Sequence, residues 1–128
     1  MDDDYELADG VYLSTEDVRQ YQLAKSAVCS AIISLMKTEG VGFDDISHMY
    51  ISGGFSSKIN IGNAVNSGLL PRELAGKTVA LNNSSLQGTV KYAIEGNDLD
   101  SLTQMINYVD LSANKYFTDL FVENMMFE

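Results

Sequence analysis

The chain has 128 residues, and its 8 Lys and Arg against 18 Asp and Glu give a formal net charge of −10. An excess of negative charge repels nucleic acid and anionic membranes, so neither is expected as a partner. Hydrophobic residues make up 45% and charged residues 20%, as in soluble globular domains, and the single cysteine excludes an internal disulfide or a cysteine-ligated metal centre held by this chain alone.

The length and the N-terminal residues bear on organisation and location. One domain spanning residues 1–128 is expected at this length. No apolar run reaches the length of a membrane span, and the start Met-Asp-Asp-Asp is the opposite of a basic signal-peptide start. We therefore expect a cytoplasmic protein.

The first elements in chain order are a hairpin and a long helix. Residues 5–13 predict two short strands around a turn at Asp9 and Gly10, a favoured hairpin pair. Ser14 and Asp17 have capping-box spacing, which predicts a helix that starts at Thr15 and, by its apolar periodicity, ends at Gly40. Small residues recur along this helix, so it is expected to be central or to lie at an interface, with Cys29 as a buried, inert thiol within it.

The remaining pattern alternates strands and helices. A short helical turn at 43–46 precedes a strand at 48–51, and a short helix at 60–67 ends before Pro71. The other predicted elements are a buried-type strand at 77–81, helical segments at 84–95 and 99–108, a brief edge strand at 109–111 and a final amphipathic helix within 116–125. This alternation favours an α/β fold in which helices pack against a small sheet.

A strand followed by a loop of small residues and a helix occurs twice. The first loop begins with Gly53 and Gly54, and the second holds residues 82–85 (Asn-Asn-Ser-Ser). Glycines at a strand end let a ligand approach the backbone closely, and such loops commonly bind nucleotides or phosphates. A tight turn without a ligand is the alternative, with Ser84 acting chiefly as a helix cap and Lys58 as a solvated side chain.

Several linked motifs resemble one family. Residues 17–28, 49–55, 61–71 and 114–127 resemble, in that order and spacing, the C-terminal part of the reductive activators of corrinoid-dependent methyltransferases. The resemblance extends from about Val11 to Phe127. These activators are iron–sulfur proteins whose C-terminal region belongs to the superfamily of acetate and sugar kinases, heat-shock chaperones and actin.

The resemblance implies a fold, a ligand and a partner. The chain would be the C-terminal lobe of an actin-like or sugar-kinase-like ATPase, with ATP in the cleft beside a lobe that this chain lacks. Residues 51–55 look like the adenosine motif, so the implied nucleotide contacts are Ser52, Gly53, Gly54, Phe55, Ser56, Asn82, Asn83 and Ser84. The missing lobe would hold most of the magnesium contacts. No metal site and no catalytic residue are assigned within this chain.

The longer protein would couple ATP hydrolysis to electron transfer. It would carry an iron–sulfur cluster outside this chain and reduce cobalt(II) to cobalt(I) in a corrinoid protein or methyltransferase, whereas this lobe alone would be inactive. Two departures from the family pattern weaken the expected nucleotide binding: Ser56 replaces a usual glycine, and polar residues replace a Gly- and Ala-rich second loop. The alternatives are a non-catalytic dimerisation or protein-docking domain, or a lobe of a small-molecule kinase.

Overall fold

The N-terminal hairpin forms as the Asp-Gly pair predicts. A computed structural model describes residues 4–54, 56–81, 83–96 and 99–127. In it β1 (Tyr5–Ala8) pairs antiparallel with β2 (Val11–Leu13), and Gly10 takes the left-handed φ of 75° that the turn needs. The large apolar side chains of both strands stay exposed, apart from the half-buried Leu13, so the hairpin contributes little to the core.

The long helix α1 (Thr15–Glu39) has both of its predicted ends. Its capping box is complete, because the Asp17 amide donates to the Ser14 hydroxyl at 3.1 Å and the Ser14 amide donates to the Asp17 carboxylate at 2.9 Å. Gly40 stops the helix with a left-handed φ of 69°. Within the described residues no helix combines the length and the apolar character that a membrane span needs.

A second, parallel sheet is formed by two short strands. Strand β3 (Met49–Ile51) runs beside β4 (Thr78–Ala80) with Met49 opposite Thr78 and Ile51 opposite Ala80. The prediction that the strand at 77–81, here β4, is of the buried type is wrong, since Val79 is 38% exposed. In the described part of the chain β4 pairs with β3 alone, and an edge strand keeps contact with water.

A compact turn region joins the two strands and supplies the core. Helix α2 (Ile61–Asn66) is capped by Asn60, and a 3₁₀ helix (Arg72–Lys77) leads directly into β4. The buried apolar cluster comprises Ala64, Val65 and Leu70, with Ile32, Met49, Ile59, Ile61 and Leu69 packed around it. This cluster fixes α1 and α2 against the start of β3.

The segment after β4 is helical but less regular than predicted. Helix α3 (Ser84–Glu95) has the predicted bounds, whereas α4 (Leu99–Thr103) is shorter than the predicted 99–108. The predicted strand at 109–111 is wrong: the Asp110 carboxylate accepts hydrogen bonds from the Ser112 amide (2.9 Å) and hydroxyl (2.7 Å), which starts a 3₁₀ helix (Leu111–Ala113). A local bond of this kind competes with extended backbone.

The C-terminal helix α5 (Phe117–Glu123) packs on α1 along a polar seam. Ser26 and Ser30 are fully buried there, and the Ser26 hydroxyl donates to the Phe121 carbonyl. The Asn124 side-chain amide donates to the Ser30 hydroxyl at 3.1 Å. Ser26 and Ser30 thus lie where α5 packs on α1, as predicted for the small residues of this helix, whereas Ala24 is exposed; Cys29 is buried.

Candidate functional site

The turn after β3 holds two glycines with different structural demands. Gly53 has a φ of +107°, which residues with a Cβ rarely adopt, whereas the φ of Gly54 lies outside that range. A Cβ added to either glycine would meet no atom within 4 Å, so both face open space. The conformation explains Gly53 but does not require glycine at position 54. Phe55, the next residue predicted at the site, lies outside the described residues.

Ser56 joins this turn to the end of the neighbouring strand. Its side chain is buried, and its hydroxyl lies 2.8 Å from the Gly53 carbonyl and 2.6 Å from the Leu81 carbonyl. The single hydroxyl hydrogen can go to either acceptor. The described chain has no residue other than glycine at positive φ, so the backbone at Ser56 does not need the glycine that the family pattern favours.

The second turn is held against the first by backbone and side-chain bonds. The Leu81 amide donates to the Ile51 carbonyl at 2.8 Å. The hydroxyls of Ser52 and Ser84 are hydrogen-bonded to each other across the two turns. Together these bonds place the N-terminus of α3 beside the loop that follows β3.

The cap of α3 differs from the prediction. Asn83, not Ser84, is the N-cap, because its side-chain oxygen accepts from the Leu86 amide at 3.2 Å. Ser84 is the first helical residue, which leaves its hydroxyl available for Ser52. Asn82 lies outside the described residues. The structure therefore brings together Ser52, Gly53, Ser56 and Ser84, whereas the side chain of Asn83 caps α3.

The chemistry available at the two turns is that of binding. Their described side chains carry hydroxyl and amide groups, and Lys58 beside them is exposed, as predicted. The described residues contain no group of three His, Cys, Asp or Glu that could hold a metal ion. The pKa of Asp17 is lowered by hydrogen bonds from Ser14, but that pair lies at the start of α1, outside the turns.

Comparison with known proteins places the chain in a family. A family model described as the C-terminal domain of RACo, the ASKHA domain, matches residues 1–128. The chain belongs to this family. The chain is 25% identical over 120 residues to the "Corrinoid activation enzyme RamQ" of Eubacterium limosum, covering 91% of this chain and 20% of that protein.

The fold of the chain is also similar to part of a solved structure. The described fold matches a "Reductive activator for corrinoid,iron-sulfur protein" with a TM-score of 0.75 and 26% sequence identity, over 89% of this chain and 19% of that one. The chain thus spans about a fifth of the length of both relatives. The predicted resemblance and the α/β, actin-like fold class are confirmed by these matches.

Proposed function

We propose that this domain holds the nucleoside part of ATP at the turn formed by Ser52, Gly53 and Gly54, beside the N-terminus of α3. The observation that carries the proposal is the glycine at position 54. Its φ is one that other residues adopt, and an added Cβ would meet no atom within 4 Å, so the fold itself does not require glycine there. A ligand that approaches the backbone closely would explain a glycine at this position. The ASKHA family match and the hydroxyl pair of Ser52 and Ser84 support the same location.

The residues of this chain would bind and orient the nucleotide. Backbone groups of the glycine turn approach the ribose side, and the hydroxyls of Ser52 and Ser84 can exchange their mutual bond for bonds to the ligand. The buried Ser56 hydroxyl keeps the turn against Leu81. ATP would supply the free energy that drives an electron to the corrinoid, while magnesium and the phosphates would be held mainly by the part of a longer protein that this chain does not include.

In that longer protein, a cytoplasmic reductive activator, the electron would come from an iron–sulfur cluster outside this chain. It would reduce cobalt(II) to cobalt(I) in a corrinoid protein, the partner that the names of the two relatives suggest. Cleft closure on ATP would couple hydrolysis to rearrangement between the two proteins.

The test measures ATP and ADP binding by calorimetry on the longest natural protein that contains this chain, as wild type and with Gly54→Val. The matched control is Gly76→Val, because a Cβ at Gly76 also meets no atom within 4 Å and its φ is not in the left-handed range. We expect saturable binding by the wild type and the control, and a loss of at least about tenfold for Gly54→Val, since a side chain there occupies the approach to the backbone. Equal binding by all three proteins would move the site away from the turn.

A non-catalytic docking or dimerisation domain is the second candidate, and exposed apolar side chains favour it. Four large apolar side chains are more than two-thirds exposed: Ile94 (77%) in α3, and Met105 (78%), Ile106 (72%) and Tyr108 (89%) in the segment after α4. This candidate predicts no ATP binding in the intact, folded protein and a concentration-dependent dimer in sedimentation velocity. The family and both relatives point away from a small-molecule kinase.

A further inference from the structure

A cavity of about 340 Å³ lies between α1, the segment that follows α2 and the C-terminal residues. Its volume is within the range of small-molecule pockets. It shares no lining residue with the turns after β3 and β4. Most of its lining comes from α1, from residues 66–73 and from residues 123–126. The cavity is therefore a separate feature of the domain, independent of the proposed nucleotide turn.

The side chain that distinguishes this cavity is Lys25. It is only 2% exposed, and its Nζ donates to the Met126 carbonyl at 2.5 Å and lies 4.8 Å from the centre of the Phe127 ring. No carboxylate forms an ion pair with Lys25 in the part of the chain that the structure describes. An ammonium has three hydrogens to donate, and a buried lysine is nearly always paired with a negative charge. Among the described residues, Lys25 thus has donor capacity and charge without an anionic partner.

The other charged groups of the lining are exposed. Lys37 and Arg72 add positive charge, and Glu73 and Glu123 add negative charge. Water and salt screen exposed charges much more than a buried one, so the carboxylates oppose an anion weakly whereas Lys25 attracts it strongly. Asparagine and serine side chains also line the cavity and offer neutral hydrogen-bonding groups: Asn66, Ser67 and Asn124.

We propose that this cavity binds a small molecule with a phosphate or carboxylate group, which pairs with the Lys25 ammonium. The volume leaves room for a few further atoms beyond the anionic group, so the ligand is a small organic acid or phosphate ester. The anion supplies the charge partner that no described residue gives to the buried lysine, and the hydrogen bond to Met126 ties the ligand to the C-terminal residues.

The experiment titrates the 128-residue chain with inorganic phosphate and, separately, with acetate at constant ionic strength, and follows amide shifts by NMR. We expect saturable shifts at Gly68 and Met126 with at least one anion, and binding at least about tenfold weaker in Lys25→Met, because a charge-assisted hydrogen bond is lost. The matched control is Lys58→Met, an exposed lysine beside the glycine turn, which should bind as the wild type does.

Two further results decide the remaining cases. If Lys25→Met does not fold, Lys37→Gln replaces it, and loss of this exposed charge should weaken binding about threefold. Absence of saturable shifts with both anions would overturn the proposal. Equal binding by the Lys25→Met variant and the wild type would do the same, and a loss of binding in Lys58→Met alone would place the anion at the glycine turn. The tighter of the two titrations identifies which anionic group the cavity prefers.

Discussion

Replacing Ser56 by alanine tests whether the two turns of the candidate site are held together by one buried hydroxyl. The hydroxyl is within hydrogen-bond distance of two carbonyl oxygens, those of Gly53 and Leu81, and the residue is 4% exposed. Ser57, the next residue, is a natural comparison. Among the described residues its hydroxyl bonds only the Gly54 carbonyl, at 2.9 Å, and its side chain is exposed.

The size of the effect follows from what each substitution leaves behind. One hydrogen bond contributes about 1 kcal/mol net, and a buried carbonyl that loses its partner adds to the cost. Leu81 is 37% exposed, so water can reach that end of the pair and limit the penalty. We therefore expect Ser56→Ala to lower the free energy of unfolding by about 1 to 2 kcal/mol, and Ser57→Ala to change it by less than about 0.5 kcal/mol.

Urea unfolding followed by circular dichroism measures both variants against the wild type, and thermal unfolding should show a fall of about 4 to 8 °C for Ser56→Ala. In calorimetry on the longer protein, Ser56→Ala should also weaken ATP binding, because the turn would no longer be held against Leu81. Equal stabilities of the Ser56→Ala and Ser57→Ala variants would refute the reasoning, since burial and the second acceptor would then make no difference.

The remaining predictions concern glycines and a capping carboxylate. Gly88→Ala should raise the free energy of unfolding by about 0.5 to 1 kcal/mol, because Gly88 lies within α3, its φ is not left-handed and an added Cβ meets nothing. Gly68→Ala should lower it by about 1 kcal/mol or more, since its φ is +78° and the Cβ would lie 3.0 Å from the Lys25 Nζ; thermal unfolding of both variants checks the opposite signs. An NMR titration of Asp17 should give a pKa below the ordinary value for an aspartate, because Ser14 donates hydrogen bonds to the charged carboxylate. The contribution of the charged Asp17 to the stability of the folded state is therefore present above the pKa that Asp17 has in the unfolded chain. It is lost as the pH falls through the lower pKa of the folded chain, and Asp17→Asn should abolish this part of the acid sensitivity.

Local signals in the sequence were sufficient for the elements that have local causes. The Asp9–Gly10 turn, the capping box at Ser14 and the stop at Gly40 each depend on residues within one turn of the chain, and all three were predicted correctly. The two strand ends at the site were also predictable, because glycines and small polar residues follow each apolar run.

Features that depend on tertiary context were predicted less well. The apolar run Val79-Ala80-Leu81 predicts a buried strand, yet the exposure of Val79 depends on how many strands the sheet has. Asp110 sits in a segment with strand propensity, but its carboxylate bonds Ser112 and turns the chain. The burial of Lys25 could not be foreseen, since a lysine in a helix is ordinarily solvent-exposed, and the residues that lie against it are distant in sequence: Gly68, Met126 and Phe127.

The departures from the family pattern bear differently on the two candidate functions once their positions are known. Ser56 and Asn83 strengthen the turns, through a hydroxyl bonded to carbonyls and a side chain that caps α3, so they are compatible with a preserved nucleotide site. The support for docking comes instead from the exposed apolar side chains of the same helix, such as Ile94. The N-terminus of α3 and the exposed Ile94 lie at opposite ends of this helix, so one domain can contact a nucleotide at the first and a protein at the second. Substitution of Gly54 tests the first function, and substitution of Ile94 by a charged residue tests the second without altering the turn.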